Sequence, residues 1–211
     1  MFTHTQLGGP PPIGYHTAPI LLEGLGERER EGLGEVNDLA DLVNIGESSW
    51  TLVHDGFRKS YNYDVECAYI VPQGIDEYHE LVNWSQNKTL YYTSDWTDSH
   101  GKKVLTFDYN VMFTPEGMYC RDGEYGEICE DGKGHYLAHV TIAPVHVWHA
   151  SLWSFDVEVS LPAKPVNLGS NSDPIAGVEI QMRVDTYYQD QNTGTYSYSW
   201  FVQGDGHWKA M

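Results

Sequence analysis

The chain is poor in basic residues, poor in cysteine and without a long apolar run. Only 12 Lys and Arg stand against 30 Asp and Glu, a formal net charge of −18. A surface of that sign repels phosphate backbones and anionic lipid, so neither nucleic acid nor a membrane is expected as a partner. No apolar stretch approaches the ~18 residues of a spanning helix. The opening Met1-Phe2-Thr3-His4-Thr5-Gln6 has neither the basic nor the apolar region of a secretory leader, so the expected location is a virion or the cytoplasm. The 3 cysteines are too few for a disulfide scaffold. Gly-x-Ser-x-Gly is absent, as are a glycine-rich phosphate loop ahead of a helix and the EF-hand order of acids. No cofactor is expected.

What the chain does have is aromatic residues in alternating patterns, with 15 Tyr and 7 Trp among its 211 residues. Val178, Ile180, Met182, Val184, Thr186 and Tyr188 alternate with Glu179, Gln181, Arg183, Asp185, Tyr187 and Gln189. That period of two describes a strand with one dry face and one wet face. A second alternation then sets Tyr196, Tyr198, Trp200 and Val202 against Ser197, Ser199 and Gln203. A three-residue loop at Asn192-Thr193-Gly194 predicts Tyr188 opposite Tyr198 and Val184 opposite Val202. Further strands are expected over Trp50–His54, Tyr61–Val71, Thr89–Thr93, Val104–Phe113, Tyr136–Ile142, Val145–Ser151 and Leu152–Leu161. Thr114–Gly134 reads as a Gly- and acid-rich loop or small hairpin, and Asn167–Ala176 as a long polar loop.

One short helix is expected in Glu35–Val43, where Val36, Leu39, Leu42 and Val43 fall at helical spacing. Residues 1–34 read as an extended arm and linker. Gly8-Gly9-Pro10-Pro11-Pro12 can enter neither a helix nor a central strand, and Gly24, Gly26, Gly32 and Gly34 break up the second half of the segment. The expected fold is therefore all-β, an antiparallel two-sheet β-sandwich or jelly roll over residues 35–211, with an extended N-terminal arm and one short helix.

Candidate chemistry is sparse. His135, His139, His146 and His149 put four imidazoles within fifteen residues. Imidazole clusters suit metals, but His135 and His139 would lie about 13 Å apart on one strand face, too far to share an ion. Cys120 and Cys129 could close a hairpin disulfide, and the same loop carries Asp122 and Glu124, carboxylates of a kind that can wrap Ca²⁺. Both are weaker readings than a solvated acidic loop, so no metal is assigned. Cys67, in an apolar run, reads as an inert core thiol. Tyr187, Trp148, Trp153, Trp200, Phe201 and Trp208 could form a platform for stacking glycans, with Trp153, Trp200 and Trp208 the first to test.

By pattern and by elimination, the favoured expectation is a non-catalytic structural or assembly protein, such as a capsid-decorating, tail or spike component of a virion. Its partners would be other proteins or copies of itself in a homo-oligomeric assembly. Docking would run through the arm, with Pro10, Pro11, Pro12, Tyr15, Ile20, Leu21 and Leu22 in contact. The alternatives are a carbohydrate-binding module and, behind it, a metal-assisted sandwich or barrel enzyme.

Overall fold

The computed structural model describes residues 2–6, 41–45, 49–54, 67–75, 80–120 and 132–211, with 2–6 and 49–54 described by backbone and strand pairing. These residues build strands alone. In chain order they are β1 (Phe2–Gln6), β2 (Leu42–Ile45), β3 (Ser49–His54), β4 (Ala68–Pro72), β5 (Leu81–Val82), β6 (Lys88–Thr97) and β7 (Lys103–Tyr119). Then come β8 (Lys133–His149), β9 (Trp153–Ser160), β10 (Val166–Asn167), β11 (Ala176–Tyr188), β12 (Gln191–Gln203) and β13 (Trp208–Ala210). They form two antiparallel sheets. One runs β1-β6-β7-β8-β4-β2, with β5 beside β7; the other runs β13-β12-β11-β9-β3, with β10 beside β11.

The alternation read in the sequence is what buries the core. On β7, Leu105, Phe107, Tyr109, Val111 and Phe113 are buried, and on β11 so are Val178, Ile180, Met182 and Val184. These residues belong to one apolar cluster fed by both sheets. Rings of the first sheet meet rings of the second: Tyr92 and Tyr109 lie 5.3 and 5.8 Å from Trp200, and Phe107 lies 6.0 Å from Phe155. Each such side chain contributes roughly 1.5–3 kcal/mol of burial. Thr186 is polar and buried, and exchanges hydroxyl contacts with Thr193 at 3.0 Å, so its polar atom is not stranded.

Four expectations need correction. The β11–β12 turn is Gln189-Asp190, both at positive φ (49° and 62°), so Val184 sits opposite Tyr196 and Val178 opposite Val202. A two-residue turn with both centres left-handed matches strand twist better than the longer loop. The shift is even, so the apolar rows still share a face. Next, Leu42 and Val43 lie in β2, antiparallel to β4, and not in a helix; residues 35–40 are outside the described set. A short apolar run at i and i+3 satisfies a strand as readily once a partner edge is present.

The third correction is that β7 continues through Thr114 to Tyr119 and pairs with β8, where a loop or a separate small hairpin was expected. Its ladder to β8 carries register shifts around Thr114 and Gly117, and Glu116 has φ 68°. The bulges let the strand pass Pro115, which has no donor for a regular ladder. Finally, Tyr136–Ile142 and Val145–His149 belong to one strand, β8, bent in its pairing near Pro144, and Ala150-Ser151 lie beyond its end. Residues 61–66 and 121–131 lie outside the described residues.

Candidate functional site

The first candidate is the edge of the β6 sheet. β6 presents Tyr92, Ser94 and Trp96 to the interior, all buried, in the alternation expected of a strand with one dry face. β7 takes one side of β6. The other side is taken by β1, with Phe2 opposite Trp96, His4 opposite Ser94 and Gln6 opposite Tyr92. The start of the chain is thus an edge strand lying next to the aromatic core and outside the middle of the sheet. An uncovered edge there would expose a row of unpaired amides and carbonyls. Of the arm residues expected to dock, Pro10, Pro11, Pro12, Tyr15, Ile20, Leu21 and Leu22 lie outside the described residues.

The second candidate is a polar seam where the two sheets close on each other. The Glu116 amide donates to the Gly204 carbonyl (2.8 Å), the Gly204 amide to Ala176 (2.7 Å) and the His135 amide to Pro174 (2.8 Å). His135 Nδ1 stands 2.8 Å from Glu116 Oε2, and His207 Nδ1 stands 3.0 Å from Asp205 Oδ2. Lys88 Nζ donates to the Gly206 carbonyl at 3.0 Å. Burial works against ionising Asp205, but the His207 amide and ring, with His135 nearby, outweigh it and hold its pKa below the usual carboxylate value.

The four histidines of β8 do not converge. His139, at φ 52°, pairs with Thr114 Oγ1 (3.3 Å) and meets the Tyr69 ring edge-on at 5.2 Å. His146 Nδ1 is 3.4 Å from Asp108 Oδ2, and His149 Nδ1 donates to the Ala150 carbonyl at 3.1 Å. Each ring is engaged by a different local partner along the strand. Among the described residues no group of three or more His, Cys, Asp or Glu is placed to hold a metal ion. Asp122 and Glu124 lie outside the described residues. Cys120 is disulfide-bonded, and Cys129 lies outside the described residues. Cys67 is an unbridged, half-buried thiol whose pKa burial pushes up.

The three tryptophans put first for stacking are not brought together. Trp200 is 1% exposed and lies inside the core. Trp153 pairs with Tyr188 at one end of β11, whereas Trp208 is opposite Val202, itself opposite Val178, at the other. Ten residues of strand, roughly 33 Å, separate those ends.

Sequence reasoning offered Trp148 as a stacking aromatic but missed the rest of the outer face of the β6-β7-β8 ladder on which it lies. There Tyr91 is opposite Asn110, Thr93 opposite Asp108 and then His146, and Asp95 opposite Thr106 and then Trp148. Trp148 is 43% exposed. Asp95 is braced by Lys103 (2.7 Å) and by the Thr106 hydroxyl (2.7 Å). Its signal in the sequence was the polar row Thr106, Asp108, Asn110, which gave no hint of its neighbours on other strands.

Among the described residues no helix is long and apolar enough to cross a membrane. Comparison with known protein families, curated proteins and solved structures finds no match.

Proposed function

We propose that this chain is a non-catalytic structural protein, a subunit of a larger assembly such as a capsid-decorating, tail or spike component of a virion. Its body, residues 35–211, is on this reading a two-sheet β-sandwich. Two meanders support that architecture over a jelly roll: β6-β7-β8 stay in one sheet and β11-β12-β13 in the other. The N-terminal residues 1–34 act as the docking arm toward protein partners or further copies of the chain.

The observation that carries the proposal is β1. A five-residue strand completes the edge of one sheet, yet 34 residues separate it from the next described residue, Asp41. Strand addition at an edge is a common way for extended segments to bind, with main-chain hydrogen bonds giving affinity. The Cys120 disulfide supports a site of action outside a reducing cytoplasm, as on a particle surface. The charge of −18 supports high solubility and docking onto basic partner surfaces. Removing residues 1–34 takes β1 away with the arm, so it should leave a cooperatively folding body with a slightly smaller far-ultraviolet β signal and a smaller oligomer by light scattering. An unchanged oligomer after truncation would overturn the docking role.

A second reading, carbohydrate binding, draws support from the outer face. Exposed Trp148 lies on the same face as Tyr91, Asp108 and His146, an aromatic surface with polar groups beside it. Glycan-array binding lost in Trp148→Ala would establish it, and an empty array would remove it.

A further inference from the structure

The connector between β1 and β2 is far longer than closure within one chain demands. The two strands occupy opposite edges of one sheet, five strand spacings apart. At ~4.8 Å per spacing that is roughly 24 Å across the sheet, and Gln6, level with Pro144 of β8, stands about eight residues along the strands from Leu42, so the span is roughly 35 Å, which about eleven extended residues can cover. Residues 7–40 number 34, with a reach of about 110 Å. They include seven glycines and four prolines.

From this we propose that β1 is an exchangeable strand: in the assembly it leaves its own β6 edge and completes the β6 edge of a second copy. The inference rests on the assembly reading and names its partner and mode. The contacts made are the same in either arrangement: Phe2, His4 and Gln6 take register positions opposite Trp96, Ser94 and Tyr92 of whichever copy supplies β6. Exchange therefore costs little beyond the loss of tethering. A tether of this kind holds its strand at an effective concentration in the millimolar range. Dilute protein stays self-closed, and copies packed on a particle, at comparable local concentration, exchange. Reciprocal exchange closes a two-fold dimer, and one-way exchange propagates a chain of subunits. The charge of −18 per copy opposes approach, so added salt promotes exchange.

The test uses two full-length proteins in a Cys67→Ser background, one carrying Thr5→Cys and the other Thr93→Cys. These positions are directly opposite in the β1–β6 register. Neither protein can form the β1–β6 cross-link within itself, so a heterodimer disulfide formed in excess over the homodimers of either variant alone reports strand exchange. Mixed at millimolar concentration in raised salt and then oxidised, they should give a covalent heterodimer on a non-reducing gel; at micromolar concentration they should not. A second variant shortens residues 7–40 to six. Its reach of about 20 Å falls well short of the roughly 35 Å span, so it should be an obligate dimer or polymer. No heterodimer, together with a shortened variant that stays monomeric at millimolar concentration, overturns the exchange. If the wild-type protein nevertheless forms an oligomer that needs residues 1–34, assembly stands and only its mode is wrong. If no oligomer forms under any condition, both fall.

Discussion

Replacing Gly204 with alanine tests whether the two sheets meet where the seam places them. A Cβ at Gly204 would stand 1.9 Å from the His135 carbonyl oxygen, 2.4 Å from its carbon and 3.1 Å from the Tyr136 nitrogen. Ordinary contact is 3.4–4 Å, and all three neighbours are backbone atoms that cannot swing aside. The sheets must part there by more than an ångström. That movement strains the Glu116–Gly204 and Gly204–Ala176 hydrogen bonds, at 2.8 and 2.7 Å. Overpacking costs about 1–3 kcal/mol and each disrupted bond about 0.5–1.5 kcal/mol, so a loss of roughly 3–5 kcal/mol is expected. Gly101→Ala is the control. Gly101 has φ +78° but nothing within 4 Å, so only the left-handed backbone is penalised. That costs ~1–2 kcal/mol, partly offset by a stiffer unfolded chain. In urea, the Gly204 variant should lose several-fold more midpoint stability than Gly101→Ala at constant slope. Thermal melting should fall by roughly 6–20 °C against about 2–4 °C. Equal shifts, or a Gly204→Ala cost below about 1 kcal/mol, would refute the close approach of the β12–β13 turn to β8.

Two charge-based predictions concern the sheet surfaces. Asp156 and Asp185 are directly opposite on β9 and β11; burial and then the charge of Asp185 raise the Asp156 pKa, against a hydrogen bond from Tyr187. Because the folded pKa is raised, the favourable contribution is full below pH 3.8 and is lost as pH rises through the folded value. Asp156→Asn should therefore stabilise the protein at pH 7 by a few tenths of a kcal/mol, roughly 0.2–1, with no gain at pH 3; a loss at pH 7 would contradict the repulsion. Asp95 and Asp205 behave in the opposite sense. Burial opposes their ionisation, but Lys103 and Thr106 for Asp95, and His207 for Asp205, hold their pKa values low. Their contribution is present above about pH 3.8 and lost as pH falls through the lower folded values. Acid unfolding of Asp95→Asn should be less steep below pH 4 than that of the parent, and an unchanged acid limb would count against the Lys103 pairing.

How much of this could be read in advance depends on the range of each physical effect. Alternation is local, so the buried rows of β7, β11 and β12 were legible from their own residues: a period of two leaves one face for the core whatever the neighbours are. Pairing is not local. The choice of Gln189-Asp190 for the turn was decided by which two residues take left-handed backbone, and six residues of sequence offered competing solutions. Leu42 and Val43 could satisfy a helix or a strand until β4 presented an edge. The same limit applies to the sites. Trp200 and Trp148 look alike as strand aromatics, yet one is sealed among Tyr92, Tyr109 and Tyr198 while the other stands 43% exposed. Which sheet covers a strand depends on partners a hundred residues away; only packing of the whole chain decides it. The β1 edge and the Glu116–His135 seam arise in that way, from segments 90 and 19 residues apart that share no local pattern.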